Sequence, residues 1–490
     1  MVKKRRLVSA KYLELTKKKL ELTRLPRELE LPEQRSWDQG TPKSVLEPLL
    51  DFWLDGYDWR AAEAVFNLEL PQYRTTITTP ATSNPSTSQS FRIHFVHKRS
   101  KHKNAIPLLF CHTWPSSFIE VQRILNALTD PQSLPSFGDG AQQAFHVIAP
   151  SIPGFGFSDA SLSEEFGLKA TAGVFNQLMG QLGYDHYVTH GTGCICRALA
   201  LHHPKHCLAV HTANPSFAKP TYKRGPLVYM KYRIARLTQA KIPLLSFGYI
   251  PAELQTHIEG EQPEDSQDSL YSTRPIGPTL HRLYSLRPQT LAFSLCDSPV
   301  GLLAALLDVI HTRVPSHSPL TSRSRSPFLS PVELEMQDSH YDQEEQNQSQ
   351  SRGTDRAQHP FKPQQSDMDA RNYIWSPTEV LNFTMLQWLP GPEAALRWLR
   401  RAHLDTSSSQ WNEYCSVPLG ISSFQGRKSS RTTPLMWGSA SWDMAWVKRH
   451  QRPSVLPAWE QPDLLVLDLR ECFGTFLSHG KLGNLPFTAS

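Results

Sequence analysis

A short apolar strand that runs through glycine into an apolar helix is the feature that most restricts the fold of this chain. Tyr187 and Val188 end the predicted strand, Gly191 to Gly193 form the turn, and residues 194–201 begin the helix. Parallel sheets use this arrangement to hold one side chain above the sheet edge, where the helix N-terminus stabilises negative charge. Gly193 adopts such a turn easily but carries no reactive group.

Two further apolar segments end in sharp loops, and both are predicted to be strands. Residues 106–110 lead into the loop His112–Pro115, which can aim a backbone N–H at a developing oxyanion. Residues 145–149 lead into a proline- and glycine-rich turn in which Gly154 and Gly156 supply unusual backbone angles. Strands that alternate with helical stretches at this spacing predict an α/β protein, with a mostly parallel sheet and helices on both faces.

Several segments match one known family. The loop 112–115 is similar to a His-Gly-X-Pro loop with threonine in the glycine place, and residues 149–158 match a second family segment closely. Further matches lie at 22–28, 52–60, 63–67, 71–73, 287–290, 297–301, 375–379 and 391–392. On these motifs the chain resembles the epoxide hydrolases of the microsomal type, a branch of the α/β-hydrolase family. The resemblance implies an α/β-hydrolase fold with a helical cap inserted over the carboxyl edge of the sheet.

The family reaction that this resemblance implies needs an aspartate nucleophile that opens the epoxide. It also needs a histidine–carboxylate pair that activates the water for hydrolysis of the ester intermediate. Gly193 stands at the aspartate position and Val455 at the histidine position, because the segments that flank them match family sequences. Arg427 is the nearest match to the acid.

The family also uses two cap tyrosines that donate hydrogen bonds to the epoxide oxygen. Their positions fall near Leu280 and Leu399, although Tyr284 lies close enough that a local shift could restore one. The scaffold segments are therefore retained while the chemical positions are substituted. This pattern favours the fold strongly and hydrolysis weakly.

Other residues could replace the missing groups. Cys194 could serve as a thiolate nucleophile if the helix N-terminus lowers its pKa, or it could be a small buried residue on a core helix beside Cys196. Candidate bases are His190, His202, His203 and His450, none of which lies at the position that the resemblance assigns to the base. Asp443 could supply a carboxylate or could cap a turn.

The resemblance also implies an apolar pocket beside the sheet edge. Its expected lining, with the oxyanion loop, consists of His112, Trp114, Pro115, Cys194 and Phe155. For His112 and Trp114 the alternative is that an aromatic loop closes the core.

Composition restricts the partners. The formal net charge of +6 is modest, and the basic residues at 1–6 and 17–19 are expected to be a solvated tail rather than a contact to anionic surfaces. No phosphate-binding glycine motif or base-recognition pattern occurs, so no nucleic acid is expected. The spacing of the seven cysteines predicts neither disulfides nor zinc, and no cofactor or metal is expected. No apolar run approaches 18 residues, which predicts a cytoplasmic protein without an integral membrane segment.

The chain divides into four predicted parts. Residues 1–80 form an amino-terminal extension, 81–216 the first half of the α/β core, 217–410 the cap region and 411–490 the second half of the core. Within the cap, residues 315–369 are rich in Ser, Arg, Gln and Glu without a periodic apolar face, which predicts a disordered insertion. Such an insertion could be a regulated loop or intron sequence carried into the gene.

Three functions remain open from the sequence. The first is an epoxide hydrolase that converts an apolar small molecule, such as an intermediate of secondary metabolism, to a diol. The second is an inactive homologue that binds an apolar ligand or assists a non-hydrolytic cyclisation by confinement. The third is a cysteine hydrolase that uses Cys194. The sequence leaves the oligomeric state open.

Overall fold

The computed structural model describes nine stretches of the chain. They are residues 7–80, 88–131, 143–191, 194–223, 225–258, 287–313, 373–408, 410–424 and 433–483. The predicted insertion at 315–369 lies outside these described residues.

An eight-stranded sheet forms the centre of the described structure, with strand order β1-β2-β4-β3-β5-β6-β7-β8. Only the β1–β2 and β2–β4 pairs are antiparallel, and the remaining pairs are parallel. The strands are β1 Gln72–Pro80, β2 Ser88–Lys98, β3 Ile106–Cys111, β4 Phe145–Pro150, β5 Tyr187–Gly191, β6 Cys207–Ala213, β7 Cys415–Ser423 and β8 Trp442–Arg449. This topology confirms the predicted α/β-hydrolase fold.

Helices cover both faces of the sheet. The described α-helices are α1 Ala10–Glu21, α2 Lys43–Asp55, α3 Trp59–Glu69, α4 Gln122–Thr129, α5 Leu168–Gln181, α6 Cys194–His202, α7 Pro226–Leu237, α8 Pro243–Ser246, α9 Pro251–Ile258, α10 Pro288–Leu295, α11 Pro299–Arg313, α12 Pro377–Trp388, α13 Glu393–Thr406, α14 Pro457–Glu460 and α15 Pro462–Ser478. Helix α5 packs on α6 and β1, whereas α4 packs on β4 and α15. Strand β3 is buried along its whole length because both of its faces are covered.

Helices α7 to α13 lie between β6 and β7 in the chain, so a helical insertion separates two adjacent parallel strands. Helix α12 is the most deeply buried of them. Its N-terminus carries a capping box, in which Ser376 and Glu379 each bond the other's backbone N–H, an arrangement that stabilises a helix by about 1 kcal/mol. The sequence pattern over 372–402 predicts helix in the cap, and within the described part of that range Gly391, at a φ of +87°, separates α12 from α13.

The amino-terminal extension packs against this insertion. The indole N–H of Trp388 on α12 donates to Thr16 Oγ1 on α1 at 2.8 Å. The hydroxyl of Tyr57 donates to Asn382 Oδ1 at 2.8 Å. Both bonds join buried or partly buried groups, and they fix the insertion to the rest of the molecule.

The lengths of the described helices bear on whether one of them could cross a membrane. No single described helix is long and apolar enough to cross a bilayer, and only α10 and α11 taken together reach that length, with a bend of 119° between them.

Candidate active site

The strand–turn–helix segment stands where the sequence placed it. Strand β5 ends at Gly191 and α6 begins at Cys194, while Thr192 and Gly193 lie outside the described residues. A Cβ on Gly191 would lie 2.3 Å from the carbonyl oxygen of Cys111 at the end of β3. Glycine is required there because the neighbouring backbone comes too close for any side chain.

The surroundings of Cys194 act against the lowered pKa that a thiolate nucleophile needs. Its side chain retains accessible surface although protein surrounds it deeply. Burial, together with the neighbouring Cys196, raises the thiol pKa to about 11, and the Arg197 guanidinium only partly offsets this. A raised pKa disfavours the thiolate at neutral pH, and the cysteine hydrolase function stays a prediction.

The loop after β3 is clamped by the helical insertion. The side-chain amide of Gln387 on α12 donates to the carbonyl oxygens of Pro115 and Ser116, at 3.2 and 3.1 Å. His112 Nε2 accepts from the backbone N–H of Ile152 at 3.3 Å. Burial lowers the pKa of His112 to about 3, so the ring is neutral. A neutral, buried imidazole at this position positions the loop and does not hold a proton at physiological pH.

An aromatic series continues from this loop to the insertion. Phe155 makes edge contacts with His112 and with Trp398 on α13, each at 5.7 Å between ring centres. Trp114, His112 and Phe155 are each 1% exposed. This burial corresponds to the alternative in which the loop closes the core, and the oxyanion role of His112–Pro115 stays a prediction.

The loop after β8 carries the position that the resemblance assigns to the catalytic histidine. The residue at this position is apolar, and hydrogen bonds to Glu460 hold the loop in place. Val455 is 9% exposed, and its backbone N–H donates to Glu460 Oε2 at 2.7 Å. Ser454 Oγ donates to the same oxygen at 2.7 Å, and Trp375 Nε1 donates to Oε1 at 3.2 Å. Burial raises the pKa of Glu460, although these hydrogen bonds oppose that shift. The carboxyl oxygens of Glu460 thus accept the hydrogen bonds that fix the loop after β8.

The cap and acid positions are only partly described. Leu399 on α13 is 5% exposed and belongs to the main hydrophobic core. Leu280, Tyr284 and Arg427 lie outside the described residues. Of the five family positions, the two that the structure describes, Val455 and Leu399, are therefore buried apolar side chains.

His450 lies nearer the expected place of the base than the sequence indicated, because it directly follows β8 and begins the loop. Its Nε2 lies 2.6 Å from Asp468 Oδ2 on α15, and its ring stacks on Phe424 at 4.4 Å. Asp468 is not among the residues that the sequence singled out, since nothing in the helical pattern of α15 distinguishes it as a partner of a histidine. Together His450 and Asp468 form a histidine–carboxylate pair at the end of the last strand.

This pair is one end of a buried polar series that crosses three strands. His190 Nδ1 lies 2.9 Å from His211 Nδ1, His211 Nε2 lies 3.0 Å from Ser422 Oγ, and Ser422 Oγ donates to Asp468 Oδ2 at 2.5 Å. Burial lowers the pKa of His190 to about 4, and burial together with the neighbouring His190 and His450 lowers the pKa of His211 well below its ordinary value. Both rings are neutral at pH 7. In the sequence, each of these two histidines lies within a predominantly apolar segment. That position could have indicated a buried polar contact, because buried polar groups require partners.

The remaining candidates lie away from the turn. His202 ends α6 and His203 follows it, at the end opposite Cys194. Asp443 is the second residue of β8, at the amino edge of the sheet, where it pairs with Lys481 at 3.1 Å. Parallel strands place their amino and carboxyl ends at opposite edges, so Asp443 cannot reach the chemistry at the other edge.

A cavity of about 500 Å³ is lined by no described residue of the strand–turn–helix segment. It opens between the loop 153–166, the start of α10 and the face of α13 that carries Arg397, Arg401 and Leu404. Leu399 points from α13 into the core instead. Among the described residues, no group of three or more His, Cys, Asp or Glu side chains could hold a metal ion.

Comparisons with known proteins agree with this geometry. The family model described as "Epoxide hydrolase N terminus" matches residues 3–121, and the model "alpha/beta hydrolase fold" matches residues 106–284. An epoxide hydrolase homologue of Stigmatella aurantiaca is 34% identical over 291 residues, which cover 59% of this chain and 55% of that protein. Epoxide hydrolase 1 of Sus scrofa is 29% identical over 287 residues, 57% of this chain and 56% of that protein. The chain thus spans about half the length of the curated relatives that it matches.

Solved structures are similar over nearly the whole chain. The epoxide hydrolase of Aspergillus niger matches with a TM-score of 0.62 at 21% identity, covering 97% of this chain and 95% of that one. The juvenile hormone epoxide hydrolase of Bombyx mori matches with a TM-score of 0.61 at 18% identity, covering 97% and 93%. At these identities the two structures establish the fold.

Proposed function

We propose that this chain, whose sequence matches the models "Epoxide hydrolase N terminus" and "alpha/beta hydrolase fold", is an epoxide hydrolase homologue of the microsomal type that binds an apolar small molecule of the epoxide class. The ligand would lie at the carboxyl edge of the sheet, under the helical insertion, where sheets of this kind take their ligands. A cytoplasmic location and a role in secondary metabolism remain predictions from the sequence.

One observation carries this proposal: Val455 and Leu399 are buried apolar side chains at two positions where hydrolysis needs polar ones. A valine cannot take a proton from water, and a leucine cannot donate to the epoxide oxygen. The sequence adds Gly193 at the nucleophile position. The ester route of hydrolysis requires groups that these positions lack, so the resemblance supports binding of an apolar ligand more than its hydrolysis by that route.

A second candidate function is hydrolysis of the epoxide to a diol by direct attack of water. The relatives that match are named epoxide hydrolases, and His450 with Asp468 at 2.6 Å supplies a histidine oriented by a carboxylate. In this reaction the imidazole would remove a proton from water while the Asp468 carboxylate stabilises the imidazolium. The water oxygen would bond to one epoxide carbon as the bond between that carbon and the ring oxygen breaks, and the imidazolium would return its proton, through solvent, to the ring oxygen. The diol would thus contain one oxygen from water, and no bond to the protein would form.

Diol formation in isotopically labelled water separates the two functions. The full chain is incubated with styrene oxide and with longer apolar epoxides, and the diols are measured by mass spectrometry. Quenching of tryptophan fluorescence by the same epoxides measures binding. Binding without diol above the uncatalysed rate supports the ligand-binding proposal, whereas absence of binding by the folded protein contradicts it.

Variants assign any diol that forms. If His450 is the base, H450Q abolishes diol formation. The control H403Q, which changes a histidine on α13 instead, leaves diol formation unchanged. Diol formation that both variants retain would contradict the direct-water route. Introduction of a charge in V455E should abolish binding in either case, because the ligand would have to bury a carboxylate.

A further inference from the structure

The segment that follows β6 carries a concentration of positive charge. Between residues 215 and 252 the chain contains no Asp or Glu and seven basic residues, which are Lys219, Lys223, Arg224, Lys231, Arg233, Arg236 and Lys241. Of these, the side chains of Lys223, Lys231, Arg233 and Lys241 are exposed in the described structure, and a group of exposed cations attracts an anionic surface.

The same segment exposes large apolar side chains. Of the twenty large hydrophobic residues that are exposed in the described structure, seven lie between 222 and 250. They are Tyr222, Leu227, Met230, Leu237, Ile242, Leu244 and Ile250. Single exposed hydrophobics are ordinary, but a cluster on one short segment marks an interaction surface.

Helix α7 arranges these residues on one outward face. Leu227, Met230 and Leu237 recur at helical spacing and are 76%, 49% and 78% exposed. The opposite face holds the buried side chains of Tyr232 and Ala235. Helix α7 therefore has two apolar faces, and packing within the protein accounts for only one of them.

Positive charge borders the outward face on both sides. At a rotation of about 100° per residue, Lys231 lies beside Leu227 on one flank and Arg233 lies beside Leu237 on the other; both are exposed. An apolar stripe flanked by Lys and Arg is the composition of helices that lie in the plane of a membrane interface.

Contacts on the buried side of α7 fix the direction in which its outward face points. Tyr232 makes an edge contact with Trp437 at 5.5 Å, and Arg449 Nε donates to Glu253 Oε1 at 2.8 Å. The reversal after α7 is also fixed, because Gln239 and Ala240 both adopt positive φ and Ala240 N–H donates to the carbonyl of Ala235 at 2.8 Å. The stripe thus cannot turn inward without loss of these contacts.

We propose that this cap face, formed by α7 and α8, docks on the surface of an anionic lipid bilayer. Leu227, Leu237 and Leu244 would enter the interface while the exposed Lys231 and Arg233 contact lipid phosphates. Lipid binding by this face does not depend on the proposed apolar ligand.

Sedimentation with vesicles tests the proposal. The full chain is mixed with vesicles of phosphatidylcholine alone or of phosphatidylcholine with phosphatidylglycerol, and the bound fraction is measured. We expect binding to the anionic vesicles only, with affinity reduced roughly tenfold or more in L227E/L237E and in K231E/R233E. Circular dichroism and quenching by water-soluble epoxides confirm that both variants fold and keep their ligand site.

Matched controls separate this face from other sources of binding. L22E/L68E changes two leucines that are each 82% exposed elsewhere, and K17E/K18E removes the basic amino-terminal patch; both should bind like the unaltered chain. The proposal fails if neutral vesicles bind equally, if L227E/L237E binds normally, or if K17E/K18E alone abolishes binding. It also fails if light scattering shows a dimer that L227E/L237E dissociates, because a second copy would then cover the stripe.

Discussion

Replacement of Glu120 by glutamine should change how stability depends on pH. Glu120 lies on the 3-10 helix Phe118–Val121 behind the loop 112–115, and its carboxyl is fully buried. Burial raises the pKa of this carboxyl from its ordinary value of 4.5 to about 7; a hydrogen bond from Ser116 opposes the shift and the nearby Glu460 adds to it. The folded chain therefore keeps a proton that the unfolded chain has lost between these two pH values.

The sign and size of the effect follow from proton linkage. Where the folded state binds more protons than the unfolded state, the free energy of unfolding falls as the pH rises. A difference between 4.5 and about 7 corresponds to about 3 kcal/mol, since each pKa unit is worth about 1.4 kcal/mol. Below pH 4.5 this cost is absent, and above the folded pKa it is complete. E120Q cannot ionise, so its stability lacks this contribution.

Urea unfolding of the unaltered chain and of E120Q, at intervals from about pH 4.5 to about pH 8, measures the difference directly. E120Q should gain about 3 kcal/mol relative to the unaltered chain over that range. E165Q, which changes an exposed glutamate, is the control and should show no such gain. Parallel pH profiles for E120Q and the unaltered chain would refute the reasoning, because the buried carboxyl would then titrate alike in both states.

Three further predictions follow from single contacts. D468N should lower the free energy of unfolding in urea by about 3 kcal/mol, because Asp468 is buried against His450 and Ser422; a loss below about 1 kcal/mol would contradict a charged, paired Asp468. Cys194 should react slowly with iodoacetamide at neutral pH and faster as the pH approaches 11, measured by mass spectrometry; rapid labelling at pH 7 would support the thiolate hypothesis. G191A should reduce the thermal midpoint sharply because its Cβ would meet the Cys111 carbonyl at 2.3 Å, whereas G173A, with open space around the new methyl, should be neutral or stabilising; equal midpoints would contradict the close approach.

Local sequence patterns were sufficient to predict several of the central strands. The apolar runs at 106–110 and 145–149 became β3 and β4, as expected for strands that are covered on both faces. The strand that the sequence ended at Val188 continues through Thr189 and His190 to Gly191 as β5. The sequence also assigned Val455 and Leu399 to positions that the structure shows to be buried and apolar. It predicted helix over 372–402, where a single left-handed glycine ends one helix and allows the next to begin at a new angle.

Ionisation states and long-range partners could not be obtained in the same way. Cys194 begins a helix, as predicted, yet the surrounding protein outweighs the helix N-terminus and raises its pKa. His450 and Asp468 are 18 residues apart and meet only because β8 and α15 pack together. The outward stripe of α7 has the spacing of a buried face, and only the packed structure shows that Tyr232 and Ala235 face the core while Leu227 and Leu237 face outward.

The sequence by itself determined several of the central strands, which family the chain resembles, and which residues stand at the positions of that family's catalytic groups, since periodicity and residue identity are local properties. Only the tertiary structure decided which side chains are desolvated, which polar groups meet across β5, β6 and β7, and which apolar face of α7 is left exposed. Those properties depend on distances between residues that are far apart in the chain, and burial and pairing energies follow those distances rather than the order of residues.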